Sequence, residues 1–414
     1  MRDDILLNLD NPRQLEQLYR NNKPTFKSAF NALYPQVSSN PLAEGWYQRL
    51  NYGSGNPDWG TRSERVFVAG AAVLSAFLAK LPEMLSLEPD LYFQRNVSFV
   101  VFPVLITYFA WKNGLNTRTV TWLSGMLLAS VVFINVLPQN STGDTLLLSC
   151  LHLPFFLWSL LGFAFSHERG AGDDKWLGFL RYNGELAVMM ALLLISGGIT
   201  SALTINLFGL IGWNIEKPYF NYVVICGLAA VPVVSTFITR VQPGLVSKVS
   251  PVIARLFSPV ALVMLVLYLG ATLFSEKDPF HDREFLIIFN ALLVGVMALI
   301  FFSVAEAGST TRNRTQILIL SLLSAVTLVV NGIALSAVLF RITEWGITPN
   351  RLAVLGANLL MLAHLVYVAV RLFGALTRRS DVSLVGASMA LFLPVYSIWS
   401  AVVVFLFPLI FAFK

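Results

Sequence analysis

The sequence predicts an all-α, polytopic membrane protein. It reads as a transmembrane helical bundle of about 11 spans behind a small helical N-terminal region. Three observations carry this reading. First, 56% of the 414 residues are hydrophobic and only 13% are charged, about half the roughly 25% of a soluble domain. Second, apolar stretches long enough to cross a bilayer follow one another from Val66 to Phe413. Third, basic residues collect in alternate connections between those stretches.

Residues 1–65 differ in kind and form a first domain, read as cytosolic and helical; residues 66–414 form the transmembrane domain. In the first, Asn11 caps a helix whose first residue is Pro12 and which carries Leu15, Leu18 and Tyr19 on one face. A second helix opens near Pro24, shows Phe26, Phe30 and Leu33 at helical spacing, and stops at Pro35. A third covers Leu42–Leu50, and Asn51–Gly60 reads as a loop. This region is either a small cap or a set of interfacial helices.

The spans follow in order. Val66–Leu85, Gln94–Trp111, Thr119–Leu137 and Thr145–Phe165 come first. Asn183–Trp213 is longer than a bilayer needs and contains Gly197-Gly198, so it is either a tilted helix or a discontinuous one. Tyr219–Thr239, Val252–Phe274, Phe285–Ala305, Gln316–Phe340, Leu352–Leu372 and Leu384–Phe413 complete the set. Prolines at 103, 154, 232, 259, 394 and 408 each remove a backbone hydrogen bond and bend a span.

The formal charge is +6. The basic residues sit in loops without a basic-aromatic patch, which argues against nucleic acid and for membrane lipids as the surroundings. With the N-terminus placed in the cytoplasm, the inside connections hold about twice the basic residues of the outside ones, and an odd span count puts the C-terminus outside. The acidic start lacks the apolar core of a cleavable signal, so the first span directs insertion. Cys150 and Cys226 both lie in apolar stretches and have no metal-ligand spacing. No metal or other cofactor is expected.

Ionisable and amide groups inside spans are costly and are the default functional candidates. His364 lies in the tenth span, with Tyr367 and Arg371 on its face, and could relay protons. Asn290, Asn331 and Asn358 lie in three consecutive spans. Singly each reads as helix-joining glue; together they could line one polar seam. With Gly197 and Gly198 these are the candidate substrate-pathway residues. His152 precedes Pro154, whose freed carbonyl is a ready partner. Glu306 faces Arg312 and Arg314 as a solvated pair, and Lys80 pairs with Glu83.

The connection Arg341-Ile-Thr-Glu-Trp-Gly-Ile-Thr-Pro-Asn-Arg351 is the most structured signal. Gly346 allows the reversal, Thr348 caps the next helix and Pro349 opens it. Arg341 and Arg351 can both reach Glu344, and two arginines on a sparsely basic side could hold an anionic headgroup or solute. This motif, with Arg255-Leu-Phe-Ser-Pro259 and the Tyr268 run of the seventh span, resembles a family of bacterial multi-pass membrane proteins grouped as a domain of unknown function. The resemblance covers the C-terminal half. It implies a fold and a bacterial inner membrane, and no activity.

No nucleotide-loop, zinc-hydrolase or nucleophile-elbow motif is present. Three function classes fit. One is a permease-like protein for a small or lipid-like solute. Another is a sensor or assembly scaffold whose N-terminal region binds a cytosolic protein. The third is a lipid-modifying enzyme, although the missing motifs weigh against an enzyme. Oligomeric state is left open.

Overall fold

The computed structural model describes residues 1–51, 59–139, 143–167, 175–210, 213–246, 249–274, 283–307, 314–377 and 383–413. Most of the loop read at Asn51–Gly60 lies outside these residues, as do Arg169, Lys248, Lys277, His281, Arg312, Arg378 and Arg379. Among the described residues the chain is all helix, with no strand. It divides into two compact units, Met1–Gly60 and Thr61–Lys414.

The first unit is four short helices: α1 (Arg2–Leu7), α2 (Pro12–Asn21), α3 (Lys23–Val37) and α4 (Pro41–Asn51). Three of the four starts have a side-chain cap. The Asn11 side chain accepts from the Gln14 N–H at 3.2 Å, and Asn22 does the same for Thr25. Asn40 accepts from the N–H groups of Leu42 and Ala43. Such caps satisfy donors that the first helical turn leaves orphaned. Pro35 does not stop α3, which runs on to Val37. The proline removes one hydrogen bond at the last turn, where the chain is about to leave the helix anyway. Ile5, Leu15, Phe26, Phe30, Leu33, Trp46 and Leu50 form this unit's core. Burying each large side chain is worth about 1.5–3 kcal/mol, enough to hold helices too short to stand alone.

The second unit holds, among the described residues, eleven helices long and apolar enough to cross a membrane. They are α5 (Arg62–Met84), α6 (Pro89–Lys112), α7 (Thr117–Val136), α8 (Thr145–Ser166), α9 (Lys175–Leu210), α10 (Glu216–Val241), α11 (Ser250–Phe274), α12 (Arg283–Ala307), α13 (Arg314–Trp345), α14 (Pro349–Leu376) and α15 (Ser383–Ala401). The last continues through a π-helical segment, Val402–Leu406, into Phe407–Ile410. The chain is therefore a multi-pass membrane protein of the all-α class.

Two apolar cores organise the bundle. One joins α5 to α8 with the start of α9 and the end of α10, around Tyr108, Phe109, Leu157 and Phe179. The other joins α11 to α15, around Phe289, Ile300, Leu323 and Leu365. Trp158 and Trp176 pack against both.

The helices run on through their prolines, and neighbouring side chains take up freed carbonyls. Pro408 cannot donate to the Val404 carbonyl, and the Ser149 hydroxyl of α8 donates to it at 3.0 Å instead. His152 bonds the Leu148 carbonyl at 2.9 Å, one turn back, and not the Cys150 carbonyl that Pro154 frees. Lys80 pairs with Glu83, whose other oxygen accepts from Tyr222.

The discontinuous reading of the fifth span is overturned. Helix α9 is unbroken for 36 residues through Gly197 and Gly198, a length of about 54 Å. Nothing lies near either glycine. A break there would expose unpaired backbone groups to lipid, whereas the Thr200 hydroxyl adds a bond to the Ser196 carbonyl. The helix also starts eight residues before the expected Asn183, which carries Arg181 into the bundle.

Candidate functional site

The polar residues of the second core fall on one stripe. On α13, Ser324, Thr327 and Asn331 stand at i, i+3 and i+7 and are all fully buried. The stripe continues through Ala334 to Val338, which packs with Ile342, Val354 and Leu355 at the hairpin end. On α14 the face that follows Val354 is Asn358, Met361 and Leu365. From the Val338–Val354 anchor, Asn358 lies about 6 Å along the helix axis and Asn331 about 10 Å. Both amides thus lie on buried faces of the α13–α14 hairpin, within about two turns of its Val338–Val354 cluster.

Asn331 and Asn358 are both 0% exposed. Neither the oxygen nor the nitrogen of either amide has a hydrogen-bond partner, and the buried Ser324 hydroxyl has none either. Thr327 donates back to the Leu323 carbonyl at 2.6 Å and Ser321 to the Ile317 carbonyl at 2.8 Å. The column thus alternates satisfied hydroxyls with unsatisfied groups. An unpaired buried polar group costs about 1–3 kcal/mol, so each one calls for an explanation.

His364 lies on the neighbouring face of α14, at the level of Met361 and Leu365, and is fully buried. Its ring stacks on Phe392 at 4.3 Å and meets Phe301 of α12 at 4.7 Å. Nδ1 lies 3.2 Å from the Tyr396 hydroxyl of α15, and Nε2 has no partner. Trp399, one turn beyond Tyr396, lays its indole on the bare backbone of Gly356; a Cβ there would fall 2.0 Å from the ring. Its Nε1 is buried and unpartnered. Tyr367 joins the same aromatic group through Phe392, at 6.2 Å, and its hydroxyl accepts from Arg371.

Not every expected residue joins this group. Asn290 is half-buried and stands about 16 Å along α12 from the Phe301 that touches His364. Gly197 and Gly198 are on the outward half of α9. At the hairpin, Thr348 caps α14 by accepting from Arg351 N, and Gly346 has a φ of 76°. The expected convergence on Glu344 does not occur: no ion pair among the described residues involves it. Arg351 instead donates to the Trp345 and Gly346 carbonyls at 2.8 and 2.6 Å, and its guanidinium lies over the Trp345 ring. The orphan carbonyls at the end of α13 lie nearer than the exposed carboxylate and need donors. Arg341 lies over the same indole.

A second polar group went unread in the sequence. Glu306 is not a solvated loop residue; it is 5% exposed at the end of α12. Arg181 of α9 donates to the Ala305 carbonyl at 2.8 Å and acts electrostatically on both Glu306 and Glu185. Arg312 lies outside the described residues. Arg240 of α10 lies over the Phe109 and Phe165 rings and also acts on Glu185. The Tyr182 and Thr236 hydroxyls bond at 2.8 Å, and Lys112 pairs with Glu64, which also closes the capping box of α5. These groups tie together the ends of α5, α6, α8, α9, α10 and α12. At their centre Phe302 presses on Gly184, with no room for a Cβ. The early start of α9 is what brings Arg181 and Glu185 there.

Two shallow, open concavities lie on the surface. One, of about 470 Å³, lies at the start of α5 between Arg62, Val66, Phe67 and Trp111. The other, of about 410 Å³, lies on the first unit between Glu16, Arg20, Trp46 and Arg49. Among the described residues no group of three or more metal-ligating side chains converges.

Comparison of the chain with family models, with curated proteins and with solved structures returned no match.

Proposed function

We propose that this membrane protein is permease-like and that its pathway is the seam formed by α13, α14 and α15. The observation that carries this reading is the pair of fully buried, unpaired amides, Asn331 and Asn358, on the two helices of the α13–α14 hairpin. Helix glue would have paired them, since interhelical amide bonds are worth about 0.6–2 kcal/mol each. The arrangement seen is the closed one, and only on opening do water or solute give those donors and acceptors partners. The Ser324–Thr327–Asn331 column extends the polar surface over about 10 Å. Ring contact between Phe301 and His364 links the seam to α12, and through Phe302 and Glu306 to the charged end of α9.

The charge of the connections supports a cytoplasmic N-terminus. The hairpin motif is what supports a bacterial inner membrane as the location. The groove of the first unit then offers a cytosolic protein a surface of Trp46 flanked by Glu16, Arg20 and Arg49.

Hydroxyl-radical footprinting of the intact protein in nanodiscs tests the pathway. Met361 follows Asn358 on the buried face of α14, whereas Met297 on α12 and Met389 on α15 are buried to a similar or greater degree in the same core. Water in the seam oxidises Met361 several-fold faster than the other two. Equal rates for all three methionines would remove the pathway.

A further inference from the structure

We infer that the seam passes a small uncharged solute rich in hydroxyl or amide groups, and that it excludes ions. The inference rests on the permease reading and names what that pathway takes.

The groups without partners set the chemistry. Asn331 and Asn358 each offer a donor and an acceptor, Ser324 offers both on one oxygen, and the Trp399 indole offers a donor. These are neutral, paired-function groups, which match hydroxyls and amides on a solute. Along α13 alone, Ser324 and Asn331 are about 10 Å apart, so a small solute would meet these groups in succession.

Charge is absent where an ion would need it. On α13 no charged residue stands between Arg314 and Arg341, and on α14 none stands between Arg351 and Arg371. Helix α15 carries none from Ser383 to Ala401. His364 is the one titratable nitrogen base in this stretch, its faces rest on two phenyl rings, and among the described residues no carboxylate pairs with it. An ion stripped of water here meets no counter-charge, and that desolvation is prohibitive. Nor can main-chain carbonyls replace a hydration shell as they do in a cation filter. Both α13 and α14 run unbroken through the seam, so their carbonyls are committed to the helices. The four arginines that bound the neutral stretch of these two helices add a positive potential at each mouth that disfavours cations.

The neutral column also separates this seam from the charged group of Arg181, Glu185 and Glu306. That group lies on α9 and α12, across Phe301 and Phe302 from the amides. Coupling ions, where used, would engage that end and not the solute track.

The experiment is stopped-flow light scattering on proteoliposomes of the full chain. The probes are urea, glycerol, erythritol and xylitol; the charged arm is chloride, with valinomycin to shunt potassium, and, separately, potassium without valinomycin, with a protonophore to shunt protons. The wild type is expected to raise the permeability of at least one uncharged probe several-fold over empty vesicles and to leave both ions at the empty-vesicle rate. Asn331→Leu and Asn358→Leu, each confirmed as folded by size-exclusion elution, should return that probe toward the background. No gain for any of the four uncharged probes, a gain for either ion, or a gain untouched by both variants would each overturn the inference. Failure of this assay with Met361 still selectively oxidised removes the solute class and leaves the pathway. Failure of the footprint removes the pathway itself.

Discussion

Asn331→Leu and Asn358→Leu should make this protein more stable, not less. Leucine has the branching of asparagine and fills the same space with two methyl groups. Each amide is fully buried with both polar atoms unpaired, and such a group carries a desolvation cost of about 1–3 kcal/mol. Removing it recovers that amount. The larger methyls strain the α13–α14 contact, and overpacking costs about 1–3 kcal/mol in a tight core. Small neighbours limit the strain here: Ala334 lies one turn along α13, and Gly332 is adjacent to Asn331. The net expectation is a gain of about 1 kcal/mol for each variant. The amides lie on two helices packed against each other, so the double variant is expected to fall short of the sum.

The assay is unfolding in mixed micelles with rising SDS, followed by tryptophan fluorescence, with Asn331→Ala as the control that opens a cavity. Alanine should be neutral or destabilising, because the lost packing offsets the removed amide. A loss of 1 kcal/mol or more in both leucine variants would refute the reasoning. It would mean that the amides are bonded across the interface and hold the bundle together. Stabilisation together with lost solute permeability is the signature of groups kept for function at a cost in stability.

Three further outcomes follow from the geometry. Gly184→Ala should destabilise the bundle by about 1–3 kcal/mol because its Cβ would lie 1.9 Å from Phe302; Phe302→Leu in the same chain should restore part of the loss in the SDS assay. Arg181→Ala should cost about 3 kcal/mol, since a buried acid then loses a nearby cation, and adding Glu306→Gln should recover much of it. In the first unit, the Gln48 amide and Tyr34 hydroxyl that bond Glu44 hold its carboxyl below the usual range. That contribution is therefore complete above the unfolded carboxylate pKa and disappears as pH falls through the lower folded value. Glu44→Gln should flatten the acid limb of a thermal-melting profile of the full chain.

Hydropathy made the spans legible because lipid demands about 20 apolar residues of every crossing helix. It failed at the start of α9. Lys175, Arg181 and Glu185 lower the local hydropathy there, yet Phe179, Tyr182 and Leu186 supply the buried face. The helix is amphipathic at that point, and a periodicity reading would have extended it. Arg181 and the Ala305 carbonyl are 124 residues apart, and Ser149 and Val404 are 255 apart. No local pattern announces such pairs. The amides of α13 and α14 were visible as polar residues in apolar helices. Their facing was not, because it depends on the hairpin register that Val338 and Val354 set. Ser324 and Thr327 could have been found: with Asn331 they make a polar row at helical spacing.

The two polar groups of the membrane unit obey opposite rules, and the contrast bears on mechanism. Around Arg181 every charge has a neighbour of opposite sign, and the groups sit at helix ends, where water is near. Such an arrangement holds helices in place, the neighbouring opposite charges offsetting part of the cost of burial. Along the α13–α14 seam the groups are neutral, further from the helix ends and unpaired. An arrangement of that kind destabilises the fold by several kcal/mol, taken over both amides. Glue explains the first and not the second. Helix α12 touches both, through Glu306 at one end of a short stretch and Phe301 at the other. A shift of α12 against Gly184 would therefore move the phenyl ring on His364. Any signal that alters the Arg181–Glu306 contact thus has a mechanical route of less than two helical turns to the mouth of the seam.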